Sequence, residues 1–337
     1  MRKLFLLFLL AVGLGGCAVA FYVFVMPNVN GSKKVSIKIP TGSSYDDVIQ
    51  LLHDNQVLQN ENTFEIVSRL KHYTNQVKSG YYVFTRSMNN RQIVNMLKSG
   101  LQTPVTLIIY NIRTKEEFAG LVGRTLEIDS NRFLAKLNDP DFCNKLGVDT
   151  NKILSRFIVD NYEFYWNTSM SKFFDKMTAA YTDFWNKDRQ AKADAIHLSP
   201  NDVTTLASIV EKEVIRDVEL PTVAGVYLNR LRIGMPLQAD PTLIYALRDF
   251  DARRVNSRHK EFDSPYNTYM YKGLPPGEIC MPRKKSIDAV LNAEDNQYLY
   301  FCANPDLSGY SIFSKTLEDQ NKAAVMYRKK LNALNVH

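Results

Sequence analysis

Cysteine is scarce: this chain of 337 residues has four. Cys17 lies in an apolar run, while Cys143, Cys280 and Cys302 are odd in number and widely spaced, which supports neither a disulfide framework nor a zinc site. They read as buried free thiols, with a Cys280–Cys302 bridge as the alternative, and no metal or cofactor is expected. Clustered positive charge is also sparse. The net charge is +7, yet the basic residues are scattered apart from short groups at Arg283 to Lys285 and Arg328 to Lys330. Neither group has the interleaved aromatics and glycines of a nucleic-acid module, so no nucleic-acid partner is expected. A moderately basic protein suits an anionic cell wall or membrane surface equally well. With 45% hydrophobic and 23% charged residues the chain can bury a real core, and its length allows two or three domains.

What is present begins with an anchor. Behind Met1, Arg2 and Lys3, the stretch Leu4 to Met26 carries no charge and is long enough to cross a bilayer as a helix. The basic start and the polar Pro27, Asn28, Asn30, Gly31 stretch fit a single span with the rest of the chain outside. "LGGC", Leu14 to Cys17, looks like a lipoprotein acylation site. Such sites end the apolar region, whereas Ala18 to Met26 continues it, which favours the uncleaved helix.

Next comes a small α+β pattern. Val35 to Ile39 alternates like a strand, Ser43 or Ser44 is placed to cap a helix, and "YDDVIQLLHDNQVL" has amphipathic spacing. Gly80 to Phe84 repeats the strand, Ser87 the cap, and "NNRQIVNMLKSG" the helix, with Gly100 as its stop. This order resembles small peptidoglycan-binding LysM-like modules, with a purely structural linker domain as the alternative. "PVTLIIY" is a further strand and "KEEFAGLV" an amphipathic stretch. From Asn131 to about Ala195 the chain reads as mainly helical, with Phe173, Phe174, Tyr181, Phe184 and Trp185 as core aromatics.

"TLASIVEKEVIRD", Thr205 to Asp217, reads as a helix introduced by Ser199 as N-cap, Pro200 and Asp202. At about 100° per residue, Leu206, Val210 and Val214 centre its apolar face and Ser208 and Lys212 point away. Glu211 and Glu213 fall on opposite flanks, and periodicity alone does not choose between them. The segments that follow are rich in Asn, Gln, Tyr, Gly and Pro in loop-like settings, the groups with which sugar-binding clefts hold hydroxyls, acetamides and pyranose faces.

"LASIVEKE", "VYLNRLRIGMPLQADPT", "YNTY", "GLPPGEI" and "YLYF", in this order, closely resemble the catalytic domain of the YceG-like (MltG) family of bacterial endolytic murein transglycosylases. The resemblance is strongest over residues 200 to 337. "LSRFIVDNYEF" keeps Asp160 and Tyr162 of a family segment but lacks its Glu-Gly and Pro.

The resemblance implies an α+β chain with a membrane anchor at 1–29, a LysM-like domain at 30–103, a mainly helical connecting region at 104–195, and an α+β catalytic domain with a lysozyme-like catalytic helix at 196–337. It implies residence in the bacterial inner membrane with the catalytic domain outside, peptidoglycan glycan strands as substrate and cell-wall synthases as partners. It assigns the acid to Glu211, partly buried among Ala207, Val214 and Ile215, and leaves Glu213 a supporting role. Glu211 would protonate the MurNAc–GlcNAc oxygen and then deprotonate the C6 hydroxyl, giving a 1,6-anhydro end. Gln238, Asp240, Tyr266, Asn267 and Tyr269 are the candidates for holding the sugars. A muramidase that uses Asp240 to activate water, or a non-catalytic wall-binding protein, is the alternative.

Overall fold

The computed structural model describes residues 2–31, 34–252 and 255–333. In chain order the elements are α1 (Arg2–Phe24), β1 (Val35–Ile39), α2 (Tyr45–Asp54), α3 (Glu61–Leu70), β2 (Gly80–Phe84), α4 (Asn90–Ser99), β3 (Val105–Ile108), α5 (Lys115–Thr125), α6 (Ser130–Leu137), α7 (Pro140–Lys145) and β4 (Asn161–Phe164). They continue with α8 (Met170–Phe184), α9 (Lys187–Ala195), α10 (Pro200–Glu213), α11 (Leu220–Arg232), α12 (Asp240–Leu247), α13 (Ser257–Lys260), α14 (Lys284–Leu291), β5 (Tyr300–Ala303), β6 (Ser311–Ser314) and α15 (Leu317–Ala333). The strands pair as β1–β2, β3–β4 and β5–β6, so the fold is mixed α+β.

The chain divides into two compact units. One comprises Met1–Leu107, Val122–Asp129 and Tyr162–Ser169, and the other the remainder. The expected connecting region, 104–195, is thus shared between the two.

In the first unit β1 and β2 pair antiparallel, Val35 opposite Phe84 and Ile39 opposite Gly80. The period of two turns Ile37, Ile39, Tyr82 and Phe84 inward, onto Val48 and Leu52 of α2, Phe64 and Val67 of α3, and Ile93, Val94 and Leu97 of α4. Ser44 caps α2 in a capping box with Asp47. The cap of α4 is Asn89, boxed with Gln92, rather than Ser87, because the helix starts two residues later than its polar lead-in suggests. Gly100 at φ 72° stops it, a left-handed position that suits glycine.

Helix α1 is long and apolar enough to cross a membrane. Its side chains are exposed over residues 2–22, whereas Val23 joins the core of the first unit. Buried asparagines secure this junction: Asn90 Nδ2 donates to the Val23 carbonyl at 2.9 Å, and Asn28 Nδ2 to Asn90 Oδ1 at 2.6 Å.

The second unit is built around α10. Ser199 accepts from Asp202 N, Pro200 opens the helix, and Asp202 pairs with Lys152 at 2.9 Å. Val203, Leu206, Ala207, Ile209 and Val210 are fully buried and pack in one core with Val223, Ala224 and Tyr227 of α11, Ile287 and Val290 of α14, and Tyr181, Phe184 and Trp185. Phe118, Phe133, Phe157, Phe173 and Phe174 form a ring cluster behind, with Phe133 stacked on Phe174 at 5.3 Å. Two details of α10 differ from its helical-wheel reading. The helix ends at Glu213, since Val214 is extended and Ile215 is 80% exposed. Ser208, expected to point away from the core, is fully buried: the segment leading into α14 crosses that side, and Ile279 N donates to Ser208 Oγ at 3.0 Å.

Candidate active site

The two glutamates at the end of α10 have different surroundings. Glu211 Oε2 accepts Arg283 N at 2.7 Å and Ser286 Oγ at 2.7 Å, and lies 3.2 Å from Arg283 Nε. Arg283 is the N-cap residue of α14 and its own side chain makes no capping bond there. The Glu211 carboxylate therefore supplies the acceptor and the negative charge that a helix N-terminus lacks. Its expected neighbours Val214 and Ile215 are not the groups that surround the carboxylate; α14 is.

Glu213 is the last residue of α10 and lines a cavity of about 360 Å³ with Ile215, Phe301, Asn304, Tyr310 and Tyr327. Its Oε1 accepts Tyr227 Oη at 3.1 Å. Desolvation pushes the Glu213 carboxyl up to about 7; the Tyr227 hydrogen bond opposes this, the negative charge of Asp240 adds to it and Arg230 offsets part. A carboxyl raised in this way holds its proton to higher pH than an ordinary glutamate.

Helix α11 backs Glu213. Tyr227 and Arg230, three residues apart, share one face and are both buried. Burial and the neighbouring Glu213 raise the Tyr227 phenol well above its ordinary value, so it stays a donor. Arg230 is immobilised by donation from Nε to the Leu299 carbonyl at 2.7 Å and from Nη1 to the Leu237 carbonyl at 2.6 Å.

The β5–β6 hairpin forms the wall. It is held where the chain leaves α10: Arg216 Nη2 donates to the Ser308 carbonyl at 2.8 Å, and Ser311 N donates to Glu219 Oε1 at 2.8 Å.

Of the sugar-holding candidates, Asp240 and Tyr269 come together, Tyr269 Oη donating to Asp240 Oδ1 at 2.5 Å. Both act electrostatically on, or respond to, Glu213. Gln238 is exposed, at φ 50°, with its backbone N–H on the Thr268 carbonyl. The other two are placed elsewhere. Asn267 is fully buried, its Nδ2 donating to the Lys260 and Phe262 carbonyls and its Oδ1 accepting Tyr269 N, so its side chain shapes the loop instead of facing a ligand. Tyr266 packs against Tyr245 at 4.8 Å, on the side of Glu278. Glu278 is 2% exposed and desolvation pushes its carboxyl up to about 7.

Sequence reasoning passed over Tyr227, whose signal was its i,i+3 spacing to Arg230, and Glu278, which had none. The three cysteines outside α1 are free thiols; Cys143 and Cys280 are buried and Cys302 is half-buried.

A family model described as the YceG-like family matches residues 37–325. The endolytic murein transglycosylase of Bacillus subtilis (strain 168) is 29% identical over 316 residues, covering 87% of this chain and 84% of its own. That of Streptococcus pneumoniae serotype 2 (strain D39) is 28% identical over 97% of this chain, which spans 65% of the pneumococcal protein's length. The crystal structure of a putative YceG-like protein from Listeria monocytogenes is 31% identical with a TM-score of 0.59, over 87% of this chain and 99% of that one.

Proposed function

Because this chain belongs to the YceG-like family, we propose that it is an endolytic murein transglycosylase whose single acid and base is Glu213. The observation that carries the residue choice is the Glu213 carboxyl, raised to about 7 in a cavity wall with only Oε1 engaged by Tyr227. Glu211, the acid expected from the sequence, has its Oε2 committed to three groups at the start of α14. We assign it to holding the two helices together.

Protonated Glu213 gives its proton to the oxygen joining MurNAc to GlcNAc, and that bond breaks toward an oxocarbenium-like centre at C1 of MurNAc. Asp240, held by Tyr269 and near enough to Glu213 to act on it electrostatically, is the carboxylate we assign to stabilising that developing positive charge. The Glu213 carboxylate then takes the proton of the same residue's C6 hydroxyl as its oxygen attacks C1, closing the 1,6-anhydro ring. The attack is intramolecular, so no second carboxylate is required to hold water.

Helix α1 serves as a single membrane span, with everything beyond it outside the bacterial inner membrane. The buried Asn28–Asn90 junction ties the first unit directly to that span, which suits cutting of membrane-proximal strands beside the synthases that make them. A two-stranded sheet flanked by helices supports a LysM-like, glycan-contacting role for the first unit.

One observation favours a second reading: Asp240 is close enough to Glu213 to raise its pKa, and a carboxylate pair is what a water-activating muramidase uses. Mass spectrometry of products from uncrosslinked strands separates the two. Anhydro ends support the transglycosylase, and reducing ends abolished by Asp240→Asn support the muramidase.

A further inference from the structure

A second cavity, of about 190 Å³, shares two elements with the Glu213–Asp240 pair. Lys212 lies between the two glutamates of α10, and Pro241 and Ile244 belong to the helix that Asp240 opens. Arg113, Tyr245 and Phe250 complete its lining. Its charge is one-sided. Among the described residues neither Lys212 nor Arg113 has a carboxylate within ion-pair distance: Lys212 Nζ donates to Asn111 Oδ1 at 2.8 Å, and Arg113 Nη1 reaches only the Phe250 carbonyl at 3.4 Å. The Arg113 guanidinium lies 4.7 Å from the Phe250 ring centroid, a cation–π contact that leaves its other N–H donors available to a ligand. Of the two carboxyls that follow Arg113 in sequence, that of Glu116 lies 3.4 Å from Arg248 Nη1 and that of Glu117 accepts the Arg113 backbone N–H at 2.7 Å. Two half-buried cations beside Tyr245, Phe250 and Ile244 suit a ligand that presents a carboxylate together with some apolar side-chain surface.

We propose that this pocket receives the carboxylate-bearing substituent on O3 of the muramic acid residue being cleaved, and that its aromatic wall makes it a subsite for a stem peptide. The inference rests on the reading of the Glu213 cleft, because only that reading brings a muramic acid beside Lys212. A bare lactyl group also offers a carboxylate but nothing to cover the aromatic wall. The enzyme therefore prefers strands that carry stem peptides over denuded glycan.

The test uses the full chain in detergent with uncrosslinked strands, either stem-bearing or denuded by amidase. The first readout is kcat/KM for each strand, and the second is binding of each strand to the Glu213→Gln protein, which does not depend on turnover. Stem-bearing strands should be preferred in both. Lys212→Gln and Arg113→Gln should each lower kcat/KM on stem-bearing strands about tenfold, mainly through KM, and lower it by a smaller factor on the denuded strand, whose lactyl carboxylate meets the same cations without the aromatic wall. Lys212→Arg should restore the preference. If binding discriminates as described but no anhydro ends form, the subsite stands and the transglycosylase reading fails. If anhydro ends form but neither readout distinguishes the strands, or the variants weaken both strands equally, the subsite is overturned.

Discussion

Tyr227 Oη donates to Glu213 Oε1 at 3.1 Å, so a phenol buried on α11 orients the carboxyl that closes α10. The bond favours the charged carboxylate and thus restrains the upward shift imposed by burial. Tyr227→Phe keeps the ring packed against Phe301 and deletes only the donor. The basic limb of the kcat/KM profile, near pH 7 in the parent, should move to higher pH, with a rate loss of about tenfold from lost orientation. A pH profile on one defined strand checks this, and an unmoved limb would detach Tyr227 from the acid.

Glu211→Gln keeps side-chain volume but weakens the acceptor for Arg283 N and Ser286 Oγ. Its cost should appear in stability, about 1–2 kcal/mol by denaturant titration, since it loosens the start of α14. Anhydro-product formation should persist.

Glu278 gives a pH signature of its own. Its carboxyl is pushed up to about 7 in the folded protein, from an ordinary value of 4.5. A carboxyl with a raised folded pKa contributes stability that is full below the unfolded value and is lost as pH rises through the folded one. Between about pH 4.5 and 7 the folded state holds this proton while the unfolded state has released it, so stability falls by up to about 3 kcal/mol. Glu278→Gln cannot titrate. Relative to the parent, it should gain stability steadily across that window and level off above it, which urea titrations at several pH values will show.

Cys17 lies within α1, which runs seven residues past it to Phe24. The 23 residues of α1 extend about 34 Å, enough for a bilayer core without lipidation. Cys17→Ala should stay in the membrane fraction after cell lysis. Release into the soluble fraction would make a lipid the anchor.

Much of this architecture is legible in the sequence because it is local. Alternation in "VSIKI" and "GYYVF" marks the two strands that do pair, and Ser199-Pro200 marks the start of α10. The aromatics Phe173, Phe174, Tyr181, Phe184 and Trp185 all enter the core as their spacing indicates. The site is less legible, because it depends on what crosses α10 from elsewhere. A helical wheel sets Glu211 and Glu213 on equivalent flanks. Only the arrival of α14 on one side, and of α11 with the β5–β6 hairpin on the other, gives one carboxyl a capping environment and the other a cavity. The same crossing segment buries Ser208. Asn267 and Tyr269, two residues apart in one motif, likewise take different roles, since a turn closed by Asn267 itself points Tyr269 at Asp240.

The most direct measurement compares anhydro-muropeptide yield from uncrosslinked strands for the parent, Glu213→Gln and Glu211→Gln, each confirmed as folded. Glu213→Gln should lose at least about 10³-fold in rate, because it removes both the general acid and the base, while Glu211→Gln retains most of the parent's rate. Near-normal anhydro yield from Glu213→Gln, with loss confined to Glu211→Gln, would contradict the assignment and return the acid to the residue first expected from the sequence.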